Sequence, residues 1–262
     1  RTAGPRMVRG GVGGAGRRGG RLVVATAATM RLWESNGPNP RCVRQFFLER
    51  GGRAALGDTL EVCVVNTARR DNRRPPYTTE VNSLGEVPAL VLASGTVITE
   101  SIPIAEYLDE VMAGPSLVGS NPEERAATRS WTRKVYLGIC HPSLEWWRCT
   151  PAAEDWYRGT RVFNPAAAPA LRATAERMLN WLDLHLDGRG PWLVGDRFSL
   201  ADVVLFAFLD DMVTQGYVPW VMSPTRPAMT AWYERVLARP ASVQARNVLD
   251  GGGEGPAGAG AG

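Results

Sequence analysis

The stretch Asn82-Ser-Leu-Gly-Glu-Val-Pro-Ala-Leu-Val-Leu92 is the decisive structural signal in the first half of this chain. It places a proline directly before a short apolar run, and Ser94-Gly95 then offers a tight turn before Val97-Ile98. Short apolar runs separated by a glycine turn are typical of paired strands. The sequence therefore predicts two short strands joined by a tight turn.

A helix is predicted directly after these strands. Thr99-Glu100-Ser101 is a typical helix start. Three apolar residues at helical spacing follow it: Ile104, Leu108 and Val111. We expect them to share one buried face and the helix to end near Gly114.

Upstream of the decisive stretch, a helix separates two strand-like runs. Residues 30–35 and 60–65 form the runs, and the alternation in the second one favours a strand. Asn39 is predicted as the N-cap of the intervening helix, with Pro40 at its first position. One face of that helix carries Val43, Phe46 and Phe47. The order is βαβ followed by αββα, and the first two strands should pair in parallel.

The second half has no convincing strand. A Pro/Gly/Ser/Asn linker covers residues 114–122, and four periodic segments after it favour helix: 122–149, 165–187, 199–215 and 226–238. The run from Ser199 to Phe208 is apolar on almost every side, which indicates a buried central helix, with Ser199 and Asp202 as a capping pair. An α/β half is thus followed by an all-α half.

The basic charge of the chain is confined to its first 29 residues. The net charge is +4, and this segment contributes six arginines and no acid, which leaves −2 for the remainder. The six are Arg1, Arg6, Arg9, Arg17, Arg18 and Arg21. The body of the chain offers no basic stripe for phosphates, so no nucleic-acid partner is expected.

Composition also divides the chain. The predicted parts are a disordered basic leader over 1–29, an α/β domain over 30–113, the linker 114–122, a helical domain over 123–247 and a Gly/Ala-rich tail over 248–262. The leader could be an organellar transit peptide or a translated extension, and a cytoplasmic location is otherwise expected. No apolar run approaches the roughly 20 residues of a membrane span, so no membrane partner is expected.

Metal and disulfide chemistry are not indicated. The four cysteines, at 42, 63, 140 and 149, contain no C-x-x-C pair, and the two histidines are His141 and His185. No zinc site or disulfide framework is expected from this spacing.

Two stretches carry a resemblance to a known family. The decisive stretch with Gly95 to Ser101 behind it, and Gly195-Asp-Arg-Phe-Ser-Leu-Ala-Asp202, resemble the glutathione transferases in content, order and spacing. The opening Ser35 to Arg44 and the closing Trp232 to Pro240 are similar to bacterial and fungal members. The resemblance spans about residues 30–245. It implies a thioredoxin-like domain followed by an all-helical domain, in a cytoplasmic homodimer that serves detoxification with glutathione as co-substrate and no other cofactor.

The resemblance also assigns glutathione-binding residues. It implies a cis peptide bond at Pro88 and pairing of the cysteinyl unit of glutathione with the Val87 backbone, a form of strand addition. Glu100 and Ser101, at a helix N-terminus, would hold the γ-glutamyl end. Arg73 would hold the glycine carboxylate through its planar guanidinium, although Arg74 is equally within reach.

The catalytic residue is not the usual one. Family members activate the glutathione thiol with Tyr, Ser or Cys just after the first strand, whereas this turn reads Asn36-Gly-Pro-Asn39. We expect Asn39 and the amides of the first helical turn to stabilise the thiolate. Similarity to fungal relatives that lack the three residues implies a second route, in which His141 and Ser143 hold a water at the sulfur. Pro142, between them, should kink their helix.

Three alternatives stay open. Cys42, expected at the third position of the first helix, could form a mixed disulfide with glutathione and make the protein a thiol transferase or reductase. The chain could instead be a non-catalytic interaction domain, or an isomerase for a maleyl-type acid, although the Ser-Ser-Cys pattern of those relatives is missing. In the transferase reading, Tyr136, Trp146 and Trp147 form an apolar wall for a hydrophobic electrophile.

Overall fold

A computed structural model of the chain describes residues 29–249, and its first half is built on a four-stranded sheet. The strands are β1 Met30–Glu34, β2 Leu60–Val64, β3 Ala89–Val91 and β4 Val97–Thr99. Their order across the sheet is β2-β1-β3-β4; β1 and β2 run parallel, and the other neighbouring pairs run antiparallel. The predicted βαβ unit and the predicted pair of short strands are both confirmed.

Four helices accompany this sheet: α1 Pro38–Glu49, α2 Gly52–Leu56, α3 Tyr77–Glu80 and α4 Ser101–Val111. In α4 the predicted face is correct for Ile104 and Leu108, which are fully buried. It is wrong for Val111, which is 43% exposed. The helix ends at Val111, and the extended backbone of the next residue turns Met112 into the core instead.

The second half is helical throughout its regular structure. It comprises α5 Pro122–Val135, α6 His141–Arg148, α7 Pro151–Tyr157, α8 Ala168–Leu186, α9 Leu200–Thr214, α10 Pro227–Leu237 and α11 Pro240–Gln244. One turn of π-helix, Tyr136–Cys140, joins α5 to α6 directly before Pro142. A proline lacks the N–H of a regular helical bond, and the helix is irregular here, at the place where a kink was predicted, without being interrupted. The short helices α7 and α11 were not predicted, because they are too short to show periodicity.

Helix α9 forms the centre of the helical half, as predicted. Residues 200–212 are buried, which explains why its sequence is apolar on almost every side. Ser199 and Asp202 form the predicted reciprocal capping box. The buried Asp202 carboxylate also accepts hydrogen bonds of 2.9 Å from the Leu193 N–H and the Trp232 indole N–H.

The two halves share one core. Helix α1 packs against α9 and against α11, so the first domain rests on the last helices of the second. Within the described residues, no helix is long and apolar enough to cross a membrane. Predictions for the basic leader and the Gly/Ala-rich tail fall on residues 1–28 and 250–262, outside the described part.

Candidate functional site

The Val87–Pro88 peptide bond is cis, as predicted, and lies directly before β3. Val87 is half-buried at the end of the sheet where the inner strand β3 begins. Among residues 29–249, none forms a hydrogen bond with the Val87 backbone. Its N–H and C=O are therefore available to an extended ligand.

A folded loop holds the residues that precede this bond. The Tyr77 hydroxyl donates 2.7 Å to the Glu86 carbonyl, and the Asn82 side-chain amide donates 3.0 Å to the same oxygen. The Asn72 amide donates 2.6 Å to the carbonyl of Gly85. Gly85 has a φ of 63°, and a Cβ there would lie 2.6 Å from the Asn72 carbonyl oxygen. This close approach admits only glycine.

Helix α4 begins beside the same end of the sheet, because the start of β3 pairs with the end of β4. Glu100, its N-cap, has a φ of 70°, a left-handed conformation that is uncommon outside glycine and clusters at ligand-binding sites. The Ser101 side chain is buried, and its Oγ donates 3.2 Å to Oδ1 of Asn39. The first-turn N–H groups of Ser101 and Ile102 have no partner within the described residues. They can donate hydrogen bonds to an anion at this helix end.

The start of α1 differs from the prediction. Asn39 is the second residue of the helix and not its N-cap; the N-cap is Gly37, with a φ of 118°. The reason is a helical bond of 3.1 Å from the Arg41 N–H to the Gly37 carbonyl, which extends the helix by two residues. Since Pro38 and Pro40 have no N–H, Asn39 carries the first turn's one backbone donor.

Two helix N-termini therefore meet at one place. The Asn39 side chain joins α1 to α4 through Ser101. Each helix presents the positive end of its dipole there, so the arrangement favours negative charge, such as a carboxylate or a thiolate.

A cavity of about 300 Å³ opens at this junction. Its lining combines the start of α4 with α5 and the π turn: Glu100, Ser101, Ile102, Pro103, Glu106, Arg129, Thr132, Arg133 and Tyr136. The half-buried Tyr136 packs edge-on against Phe208 of α9. Tyr136 is thus the one predicted second-substrate residue that lies beside the predicted γ-glutamyl residues.

His141 and Ser143 have different environments. His141 is exposed at the start of α6, with its ring 6.1 Å from that of Tyr136. Ser143 is fully buried, and its hydroxyl has no partner in the described part of the chain. Their joint role at a bound water stays a prediction.

Cys42 lies elsewhere than predicted. It is the fifth residue of α1, not the third, because the helix begins at Pro38. Its side chain is fully buried, and burial raises the pKa of its thiol to about 12. A thiol in this environment stays protonated at neutral pH, so the structure does not favour a mixed disulfide at Cys42.

The two candidate arginines bind the backbone of their own loop. Arg73 is half-buried and donates 2.8 Å to the Leu84 carbonyl. Arg74 is exposed and donates to the carbonyls of Arg69 and Arg70. Neither contact tests the predicted role at the glycine carboxylate, which stays a prediction for both.

Trp146 and Trp147 belong to a separate aromatic group. Trp146 packs edge-on against Trp220, and Trp147 contacts Tyr157 and Tyr217. Tyr157 in turn lines a second cavity, of about 450 Å³, between α6 and the segment after α7. The lining is Glu145, Arg148, Cys149, Glu154, Tyr157, Arg158, Gly159, Arg161, Val162 and Phe163. Sequence reasoning missed this lining, because residues 149–163 show no periodic pattern.

Two contacts tie this segment to the first domain. Arg161 forms a salt bridge of 2.9 Å with Glu86, the residue before Val87. Arg70 donates 2.8 Å to the Asp155 carbonyl. The larger cavity therefore lies next to the loop that holds the Val87 backbone.

Comparison with known proteins gives the family. Residues 53–111 match the glutathione S-transferase N-terminal domain, and residues 165–235 match the glutathione S-transferase C-terminal domain. Glutathione S-transferase 2 of Saccharomyces cerevisiae is 27% identical over 208 residues, covering 78% of this chain and 83% of that protein. FtsZ-localized protein A of Caulobacter vibrioides is 30% identical over 217 residues, covering 76% of this chain and 88% of that protein.

A solved structure agrees with this result. The crystal structure of Gtt2 from Saccharomyces cerevisiae superposes with a TM-score of 0.72 at 25% identity, covering 82% of this chain and 99% of that one. Sequence, domain order and fold all lead to one conclusion: the chain belongs to the glutathione S-transferase family.

Proposed function

We propose that the protein is a glutathione transferase that joins the glutathione thiolate to a hydrophobic electrophile. The observation that carries the proposal is the meeting of two helix N-termini at Asn39 and Ser101, next to the unpaired backbone of Val87. Glutathione offers a thiol, two carboxylates and an extended backbone, and this arrangement has a complementary group for each of those chemical types.

Thiolate stabilisation is assigned to the start of α1. A free thiol has a pKa of roughly 8.5, so transfer at neutral pH requires groups that favour the thiolate. Asn39 offers its side-chain amide hydrogens, which are free because Oδ1 accepts from Ser101, and its N–H is the backbone donor of the first turn. The positive end of the helix dipole acts in the same direction. Asn39 is therefore our proposed catalytic residue, ahead of His141 and Ser143.

The other parts of glutathione follow from the position of its cysteinyl unit. With the cysteinyl backbone paired to Val87, the γ-glutamyl carboxylate reaches the free N–H groups of Ser101 and Ile102. The exposed Glu100 carboxylate takes the ammonium group. The glycine carboxylate is assigned to Arg73 or Arg74, both of which belong to the loop that braces Glu86.

The electrophile is assigned to the cavity of about 450 Å³ and the aromatic surface around it. Tyr157 and Phe163 supply apolar lining among charged residues, and Trp147 packs edge-on against Tyr157. Large aromatic side chains are typical of sites for hydrophobic small molecules.

We further propose a homodimer. Helices α5 and α8 carry a partly exposed aromatic group in which the rings of Trp131 and Trp181 stack 5.6 Å apart, with the half-buried His185 against both. Beside it, Leu184 is 74% exposed. Arg129 pairs with Glu106 on the adjoining surface, so one copy offers both signs of charge, as a self-complementary interface requires. Sedimentation of Leu184→Glu should show a monomer where the wild type is a dimer; a monomeric wild type would contradict this assignment.

The test of function is titration of bound glutathione. Thiolate absorbance is followed against pH for the wild type, Asn39→Ala and His141→Ala, together with conjugation of a generic aromatic halide. We expect the wild type to lower the thiol pKa and to conjugate, Asn39→Ala to lose much of both, and His141→Ala to keep them. Binding of glutathione with no lowered pKa and no turnover would instead identify a non-catalytic domain. A glutathione adduct on Cys42 in mass spectrometry would identify a thiol transferase.

A further inference from the structure

Two arginines of α1, close to the turn assigned to the thiolate, have side chains in the protein interior. Arg41 and Arg44 are both almost completely buried. Arg41 lies two residues after Asn39, and Arg44 follows about one helical turn later. Their guanidinium groups reach carboxylates and carbonyls on other elements of the fold. Nothing in the proposed chemistry uses either side chain.

Arg41 connects α1 to the centre of the second domain. Its Nη1 lies 2.8 Å from Asp210 Oδ2, and its Nη2 lies 3.4 Å from Asp211 Oδ1, both on α9. Asp210 is itself fixed by the Tyr233 hydroxyl at 2.7 Å and by Arg246 at 2.7 Å. One planar guanidinium thus spans two adjacent carboxylates, a geometry that sets its orientation as well as its position.

Arg44 connects α1 to the strand end and to the C-terminal segment. Its Nη1 lies 2.6 Å from the Glu34 carboxylate and 3.4 Å from the carbonyl of Ser35, which begins the turn to α1. Its Nε donates 2.8 Å to the Ala245 carbonyl, and the Leu249 N–H donates 2.7 Å to Glu34. Residues near the end of the chain therefore fix the turn between β1 and α1 through Arg44 and Glu34.

Desolvation limits what this buried network contributes to stability. Burial raises the pKa of Asp211 and lowers the pKa of Arg44, so desolvation opposes the charged forms. A buried ion pair is often no more stabilising than apolar residues of the same volume, but its directional bonds specify one arrangement. The arrangement specified here is the packing of α1 against α9.

We propose that Arg41 is a positioning residue: through Asp210 and Asp211 it fixes the first turn of α1, so that the second domain sets the alignment of the thiolate-binding group. The inference rests on the proposed function, in which Asn39 stabilises the thiolate. It predicts that breaking the pair weakens thiolate stabilisation even though neither partner touches glutathione.

The experiment compares the thiol pKa of bound glutathione, the glutathione Kd and the Tm in four proteins: wild type, Arg41→Met, Asp210→Asn and Arg50→Met. Arg50 is the matched control, since it is a buried arginine that follows the other end of α1, paired with Asp109 at 3.0 Å. It lies about 16 Å along the helix from Asn39. Both arginine variants should lose Tm, but only Arg41→Met should raise the thiol pKa, by about 0.5.

Asp210→Asn separates positioning from a direct effect of charge. Removing this carboxylate leaves Arg41 less compensated, so a direct electrostatic effect would lower the thiol pKa. Positioning requires the pKa to rise, as in Arg41→Met. A lowered thiol pKa in Asp210→Asn would overturn the proposal. So would an unchanged thiol pKa in Arg41→Met if the Tm of that variant has fallen.

Failure of the proposed function has a different result. If the wild type does not lower the thiol pKa, the functional proposal fails, and this inference fails with it. If the wild type lowers it and the Arg41 and Asp210 variants match the wild type, only the inference fails. Should Arg41→Met not fold, Asp211→Asn weakens the longer of the two contacts and must shift the thiol pKa in the same direction.

Discussion

The Ser101 hydroxyl donates a hydrogen bond of 3.2 Å to the Asn39 side chain, and this bond joins the first turns of α4 and α1. Ser101 lies where the γ-glutamyl carboxylate is proposed to bind, and Asn39 lies where the thiolate is proposed to form. A side chain that accepts from Ser101 through Oδ1 keeps its amide hydrogens free for another acceptor. The bond therefore couples the orientation of the proposed catalytic residue to the proposed binding residue.

Replacing Asn39 should weaken catalysis more than binding. Asn39→Ala removes the side-chain donor and the contact to Ser101, so we expect kcat to fall about tenfold, as for the loss of a hydrogen bond to a charged group, with a smaller rise in the KM for glutathione. Steady-state kinetics with a generic aromatic halide measures the effect. Asn36→Ala, an exposed asparagine in the same turn, is the control and should retain wild-type kinetics. Equal losses in the two variants would show that the turn as a whole, and not Asn39, is responsible.

Replacing Ser101 should act first on glutathione binding. Ser101→Ala deletes a buried hydroxyl at a helix N-terminus, and we expect the KM for glutathione to rise about tenfold with a smaller loss of kcat. Ser94→Ala, in the exposed turn between β3 and β4, serves as the matched serine control. A Ser101 variant with wild-type KM would remove Ser101 from the proposed γ-glutamyl site.

Cys42 should prove structural. Since burial raises the pKa of its thiol to about 12, Cys42→Ala should conjugate glutathione at the wild-type rate. The variant should nevertheless lose about 1 kcal/mol of unfolding free energy, because it leaves a small void in the core. Denaturant unfolding and activity measured on one preparation test both parts. A loss of activity at unchanged stability would favour the thiol-transferase alternative.

Acid should weaken the fold through His185. Burial, followed by the positive charges of Arg189 and Lys134, lowers the pKa of this histidine below its ordinary value of 6.5. Its stabilising contribution is therefore complete above pH 6.5 and is lost as the pH falls through the lower value in the folded protein.

The measurement is the unfolding free energy from about pH 7.5 to about pH 5 in wild type and His185→Gln. We expect a smaller decline on acidification in the variant. Identical pH dependence in the wild type and His185→Gln would exclude His185 as the cause.

Features governed by neighbouring residues were predictable from the sequence. The strands on either side of Ser94-Gly95 and the capping box of Ser199 with Asp202 appear where their patterns place them, and the cis bond at Pro88 appears where the family resemblance implied it. The buried helix α9 was equally predictable, because a helix that is apolar all round has no surface to present to water. These features depend on contacts within a few residues or on one strong compositional signal.

The errors arose where a local rule competed with a tertiary contact. Asn39 fits an N-cap by residue type, yet the helix begins earlier and its side chain bonds Ser101, 62 residues away. Val111 fits the apolar period of α4, yet the helix ends there and Met112 takes its place in the core.

The family, the order of the strands and long helices, and the segment proposed to pair its backbone with glutathione follow from the sequence alone. The folded protein was needed to show that the first turns of α1 and α4 meet, and that Arg41 pairs with Asp210 across 169 residues. The physical reason is that propensity and capping act along the chain, whereas charge pairing and burial act through space. Arg41 and Asp210, far apart in sequence, can form their ion pair only when α1 packs against α9.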